Sequence, residues 1–396
     1  MGAVLAAAVE SPAALWCERA ERLAAEFART AVARDKAGGT AKAERDRLRE
    51  SGLLNLIIPV EYGGAGLDWH DTLYLVRIIS RADSSLGHLF GFQHLLLATV
   101  RLFGDQWPDY YRETVRRRWF WGNALNPLDT RARIRADGGH WRLHGSKSFC
   151  SGAMDADQLV VSAIAEDDGR LVVAAIPSDR PGIRINADWD NMGQRQTDSG
   201  TVDFHGVQVY DHEILRHPGP LGSVYASLRP LIAQLVLTNV YLGIGEGALA
   251  EARTYTRRQA RAWFSSGVES PTQDPYVLRK YGQFWVALSA AAQATDQAAR
   301  LLDAAWSKED ALSEAERGQV AIASAAAKVL ATQAGLDVTQ RLFEVTGARA
   351  TASAAGFDRF WRNLRTHSLH DPIDYKLRDL GEWVLNDRLP VPSFYS

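Results

Sequence analysis

The densest group of reactive side chains in the chain is Arg362-Asn-Leu-Arg-Thr-His-Ser-Leu-His-Asp371, two guanidiniums, two imidazoles and a carboxylate, with Pro372 behind it. His367 and His370 are three residues apart, so on a helical turn they would share a face. Histidine donates and accepts near neutral pH, so such a pair suits binding an anion, shuttling a proton or holding a reactive intermediate. Hydrogen bonding at a helix end is the plainer reading of the same residues. A metal is not expected, because a facial triad needs a further ligand that neither His-x-x-His nor Asp371 specifies.

Smaller motifs add to this cluster. Phe149-Cys-Ser-Gly152 ends a β-type run with small polar groups, a combination that brings backbone against a flat cofactor or simply makes a turn. Met192-Gly-Gln-Arg-Gln-Thr-Asp-Ser-Gly200 packs polar donors and two glycines just before another strand. Arg279 and Arg349 each offer the fixed donor fork that phosphate recognition uses, although most lone arginines face solvent. Gly243-Ile-Gly245-Glu-Gly247 imitates a dinucleotide fingerprint but lies inside a helical pattern, where a Rossmann fingerprint must follow a strand. Close helix packing explains those glycines better. Without a usable dinucleotide motif, a redox enzyme of this sequence would receive its electrons on a flavin reduced elsewhere, which implies a separate reductase.

The elements that must position these residues fall in three blocks. Helical patterns occupy 13–33, 41–51, 69–82 and 84–103. Short β-type runs follow at 141–143, 159–164, 171–176 and 202–209, punctuated by Asp137-Gly138-Gly139, Asp168-Gly169 and Pro181-Gly182. Long helices return at 222–264, 275–307, 313–347 and 372–387, the third opening on a capping box of Ser313 and Glu316. Leu237, Val240, Ile244 and Ala248, and likewise Tyr281, Phe284, Leu288 and Ala291, sit at helical spacing, which predicts a bundle. The predicted units are 1–122 (N-terminal helical domain), 123–220 (middle β unit) and 221–396 (C-terminal four-helix bundle), an α+β multidomain class.

At 396 residues, 46% of them hydrophobic and 23% charged, the chain can bury a large core in two or three units. A net charge of −2 with both signs interspersed gives no reason to expect nucleic-acid or membrane-surface binding. Cys17 and Cys150 stand far apart with no Cys-x-x-Cys, as a reducing cytoplasm allows. The apolar start at 4–9 lacks a basic leader and is too short to span a membrane, so a cytoplasmic protein is expected.

Taken together, Glu61-Tyr-Gly-Gly64, Phe149 to Gly152, Met192 to Gly200, and Arg279 with Tyr281-Gly282 resemble the acyl-CoA dehydrogenase superfamily over almost the whole chain. Within it, Gly87-His-Leu-Phe-Gly91, Asp274-Pro-Tyr276 and the stretches 149–153, 195–200, 233–245 and 356–371 resemble the dibenzothiophene monooxygenase-like, reduced-flavin-dependent (group D) monooxygenases. The first 40 or so residues match least. This resemblance implies the acyl-CoA dehydrogenase fold, with a middle β-barrel between the helical domain and the four-helix bundle, and a homotetramer in which neighbouring subunits complete each flavin site. It implies Arg279 and Arg349 on the flavin phosphate, Trp189, Ser151 and His367 beside the cofactor, and Asn123, His88, Ser151 and His370 where oxygen and substrate meet. Phe92 stands in the substrate pocket where the desulfurising enzymes carry a tyrosine, and Ser148 stands where the family prefers another polar residue.

The expected activity is therefore a two-component monooxygenase. FMNH2 from a separate NAD(P)H-dependent reductase would react with O2 to a C4a-hydroperoxide, which oxygenates a small organosulfur or amine substrate. One rival is an FAD-dependent acyl-CoA dehydrogenase, for which no glutamate base is found in 365–371. Another is a flavin-binding paralogue without turnover.

Overall fold

The computed structural model describes residues 13–396; the apolar start at 4–9 lies outside the described residues. Six helices come first: α1 (Ala13–Ala28), α2 (Ala31–Ala37), α3 (Lys42–Ser51), α4 (Trp69–Ala82), α5 (Ser84–Phe103) and α6 (Trp107–Arg117). Two of them begin where short acidic side chains satisfy free backbone donors: Asp68 accepts from Asp71 N at the head of α4, and Asp83 from Leu86 N at the head of α5. α5 is apolar on nearly every side because it is buried on nearly every side.

Seven strands follow: β1 (Trp121–Ala124), β2 (Arg133–Asp137), β3 (His140–Lys147), β4 (Gln158–Ala165), β5 (Leu171–Pro177), β6 (Ile183–Ile185) and β7 (Val202–Val209). They form one sheet in the order β1-β4-β2-β3-β7-β6, with β5 on the other edge of β4. β4 pairs in parallel with β1 through its first half and with β2 at its end, so one strand seats two neighbours and the sheet curls. The predicted runs fall within β3, β4, β5 and β7. β1, β2 and β6 were not predicted: β1 and β6 are very short, and β2 is mostly polar, so none carries a strong period.

The last block holds α7 (Leu228–Arg258), α8 (Pro275–Trp306), α9 (Glu314–Arg341), α10 (Phe343–Thr346), α11 (Asp358–Ser368) and α12 (Ile373–Asn386). α7, α8 and α9 pack on one another and α12 lies on α9. The Ser313–Glu316 capping box forms as predicted, and Asp274 with Pro275 opens α8. Three expectations need correction. The helix predicted from 222 starts at Leu228, with Pro230 tolerated in its first turn. The one predicted for 313–347 breaks at Leu342 into α9 and α10. The reactive cluster lies mostly on a helix of its own, α11, which sequence spacing did not separate.

α7 is long and apolar enough to cross a membrane, but 94% of its most apolar window is buried in the protein, as befits a central core helix. Its glycines explain the close packing. A Cβ on Gly243 would sit 2.6 Å from Arg77 O of α4, and one on Gly247 would sit 2.1 Å from Arg81 O. The predicted packing role therefore holds, and it joins the first helical block to the last: Val76, Phe90, Val236 and Val240 belong to one core, while Leu143, Leu159, Ile176 and Phe204 belong to the separate core of the sheet.

Candidate functional site

Where α5, α7 and the end of α11 face the loops of the sheet, they enclose a cavity of about 790 Å³. α5 contributes His88, Phe92 and Leu95, spaced four and three residues apart on one helical face. α7 contributes Arg229, Ala233, Gln234 and Leu237, again one face. Asn123 lies on β1, Ser151 follows β3, and Trp189, Gln194, Thr197 and Ser199 come from the polar loop before β7. Thr366 and His367 approach from α11, Leu369 and His370 from the turn just after it, and Phe394 and Tyr395 from the C-terminal segment.

The polar loop is held rigidly. Gln194 and Asp198 adopt positive φ (53° and 39°). The buried Asp198 carboxylate accepts from Arg45 Nη1 at 2.8 Å and from Thr40 Oγ1 at 3.0 Å. Burial pushes that carboxyl up to about 6 against the pull of Arg45. Gly193 lets the loop press on α11, for a Cβ there would lie 2.1 Å from Arg362 O, and Asn363 Oδ1 accepts from Gln194 N at 2.7 Å. The loop is thereby registered against the reactive cluster. Its hydroxyls form a chain: Ser151 Oγ to Ser199 Oγ and Ser199 Oγ to Thr197 Oγ1, each 2.7 Å. Trp189, whose Nε1 donates to Gln194 O at 2.8 Å, meets Phe149 edge-on with ring centroids 6.0 Å apart.

Opposite this wall stand imidazoles. The His88 and His367 rings lie 4.6 Å apart, and Phe92 packs 4.0 Å from His88. Burial pushes His88 down to about 3, assisted by the neighbouring His370. His367 is held well below its ordinary range by burial, with His88, His370 and Lys328 adding to it. Both are neutral at physiological pH, so they serve as hydrogen-bonding groups and not as reservoirs of charge. His370 lies beyond the end of α11 and does not share a helical face with His367, which corrects the sequence reading. A turn bond from His370 N to His367 O at 3.0 Å keeps both at the cavity.

His370 is oriented by a carboxylate, its Nδ1 lying 3.1 Å from Asp371 Oδ1. Asp371 also pairs with the buried Lys328 and accepts from Gln234 Nε2 at 3.3 Å. Burial alone would raise this carboxyl, but the His370 hydrogen bond and the Lys328 charge outweigh it and hold it low. Burial brings Lys328 down to about 8 although Asp371 pulls the other way.

Of the residues singled out in the sequence, His88, Phe92, Asn123, Ser151, Trp189, His367 and His370 all line this one cavity. Arg279 and Arg349 do not: both are exposed, Arg279 in the second turn of α8 and Arg349 donating to Gln259 O at 2.7 Å. Ser148 does not line it either, its N and Oγ both bonding Asp129. Sequence reasoning missed Arg229, Gln234 and Tyr395. A charge set in the apolar run Leu228-Arg-Pro-Leu-Ile232 was the available signal for the first.

The residues present fit a flavin. Phe149 and Trp189 give the cavity an aromatic wall, and the hydroxyl chain offers donors and acceptors to the edge of a ring system. Three buried polar atoms of residues lining the cavity, His88 Nδ1, His367 Nδ1 and Gln194 Oε1, have no hydrogen-bond partner among the described residues. The volume lies in the range of small-molecule and cofactor sites.

Three domain models of the acyl-CoA dehydrogenase family match in order: the N-terminal domain over 15–107, the middle domain over 122–207 and the C-terminal domain over 235–375. The chain is 57% identical to a probable FMNH2-dependent monooxygenase, SfnC, of Pseudomonas putida, over 95% of this chain and 96% of that protein. It superposes on methanesulfinate monooxygenase MsuC of Pseudomonas fluorescens with a TM-score of 0.95 at 56% identity, covering 96% of this chain and 99% of that one. It superposes on FMN-bound TdsC of Paenibacillus sp. A11-2, a dibenzothiophene monooxygenase, with a TM-score of 0.91 at 46% identity, covering 96% and 99%.

Proposed function

We propose that this chain, which belongs to the acyl-CoA dehydrogenase family, is the oxygenase component of a two-component, FMNH2-dependent monooxygenase acting on a small organosulfur compound. The observation that carries this reading is the meeting within one cavity of an aromatic and hydroxyl-lined wall with two neutral imidazoles, whose Nδ1 atoms have no partner among the described residues, and no glutamate. A dehydrogenase needs a free carboxylate to remove a proton. Asp129, at the cavity, is engaged by Arg131 and by Ser148, and Asp190 is exposed at the rim. The relatives named above, which act on sulfur compounds or use FMNH2, support the same choice of cofactor and substrate class.

Reduced FMN, when bound, would supply the two electrons that activate O2, one atom of which goes to the sulfur and the other leaves as water. Ser151, Ser199, Thr197 and Trp189 would hold its ring system. His88, His367 and Asn123 present hydrogen bonds toward the reacting oxygen, and His370, steered by Asp371, is the group that can move a proton there. Phe92, Leu95 and Leu237 keep water from the reaction. A separate NAD(P)H-dependent reductase delivers the reduced flavin.

The reading includes a homotetramer in the cytoplasm, with Arg279 and Arg349 of one subunit reaching the flavin phosphate of another. An exposed aromatic pair in the loop between α7 and α8 supports it: Trp263 is 66% exposed and Phe264 87%.

The test is stopped-flow mixing of FMNH2-loaded protein with oxygenated buffer. A flavin species that outlives free FMNH2 oxidation, and a sulfur product carrying one atom of labelled O2, are expected. Immediate return of oxidised FMN with stoichiometric hydrogen peroxide, or isolation as a yellow FAD complex bleached by acyl-CoA, would overturn the reading.

A further inference from the structure

Arg229 is anomalous among the buried arginines. Arg45 is paired with Asp198, Arg77 with Asp296 and Arg359 with Glu251. Arg317, which pairs with no Asp or Glu among the described residues, donates to Ser227 Oγ at 3.0 Å, Ser227 O at 3.2 Å and Ser396 O at 2.5 Å and does not line the cavity. Arg229 is only 6% exposed, pairs with no carboxylate among the described residues, and has one hydrogen bond there, Nε to Thr99 Oγ1 at 3.3 Å. It lines the cavity on the same helical face as Ala233 and Leu237, and Tyr395, its neighbour, has its ring 5.6 Å from that of His370. Nearby acids offer no compensation, since Asp371 is already taken by Lys328, His370 and Lys376.

Burying a guanidinium without a counter-charge costs several kcal/mol, so the arrangement lowers stability unless something anionic joins it. We propose that Arg229 is the anion-recognition residue of the substrate pocket, and that the substrate is a small organic oxyanion of the sulfinate type and not a neutral sulfur compound. The planar donor fork matches two oxygens of such a group and would turn its sulfur, with its lone pair, toward the imidazoles. The proposal rests on the monooxygenase reading for what happens to the bound anion, but not for its binding. The flavin phosphate is the other anion that could meet this charge.

The test is isothermal titration calorimetry with oxidised FMN-loaded protein and no reductant, so that failure of the oxygen chemistry leaves it untouched. The probes are methanesulfinate and its neutral isostere dimethyl sulfoxide. The parent should bind methanesulfinate and bind dimethyl sulfoxide at least about tenfold more weakly. Arg229→Met should weaken methanesulfinate about 10- to 100-fold, the worth of a charge-assisted pair, with Arg229→Lys between. FMN affinity should change less than about twofold. Because an uncompensated charge is removed, ligand-free Arg229→Met should melt at or above the parent's temperature, where loss of a structural arginine would lower it. Equal binding of the two probes, an unchanged methanesulfinate Kd in Arg229→Met, or a parallel loss of FMN affinity, which would assign Arg229 to the flavin phosphate, overturns the proposal. So does a lower melting temperature with methanesulfinate binding intact.

Discussion

Asp371→Asn tests whether the polar core beneath the site is an electrostatic device or mere packing. The carboxylate binds Lys328, whose side chain is 1% exposed, and orients His370. Asparagine keeps the shape and removes the charge. In the parent, Lys328 holds its proton below about 8. In the variant its remaining partner is Gln234 Oε1, and a fully buried lysine so placed falls below neutrality. At pH 7 the folded variant is then neutral at Lys328 while its unfolded chain, with lysine near 10.4, is protonated. The unfolded variant binds more protons than the folded one, so its stability rises with pH, whereas the parent's Lys328 contributes no slope until about 8. The titrating part of the loss is thus about 1.4 kcal/mol at pH 7, one unit below 8, and near zero at pH 9. Lost hydrogen bonds to the carboxylate add roughly 1–2 kcal/mol at either pH. Urea denaturation of both proteins at the two pH values reads the difference directly. A deficit that is equal at pH 7 and pH 9, or larger at pH 9, refutes the electrostatic account. Product yield should fall with it, since His370 loses its guide.

Replacing His370 by Ala should cut product per FMNH2 at least about tenfold and divert oxygen to hydrogen peroxide, with FMN affinity nearly unchanged; equal yield from variant and parent would remove its role. His88, His94 and His367 are buried and shifted down, so the unfolded chain takes up protons that the folded chain refuses. Stability should therefore fall as pH drops below about 6.5, by about 1.4 kcal/mol per unit for each group, and His88→Asn should lower that slope by one group's share, measured as denaturation midpoints from pH 7 to 5. Gly243→Ala puts a methyl 2.5 Å from Ser80 Cβ and should cost about 1–3 kcal/mol in thermal or chemical unfolding without altering flavin affinity in the protein that remains folded.

Much of this protein is written locally. The helix starts at Asp274 and Ser313, the strand alternation of 202–209 and the spacing of Leu237 through Ala248 depend on neighbours a few residues away, so they could be read without coordinates. The reactive side chains were legible too, because His88, Ser151, Trp189, His367 and His370 come in motifs whose residue types suit flavin chemistry. Their surroundings were not. That His367 is neutral follows from its burial beside His88, His370 and Lys328, that Asp371 is held by a lysine 43 positions away follows from how α9 meets the segment after α11, and that Arg229 lacks a counter-charge follows from which acids the fold spent elsewhere. Capping and periodicity are interactions along the chain, whereas burial and charge pairing are decided by what the chain brings across space, and only the tertiary structure says what that is.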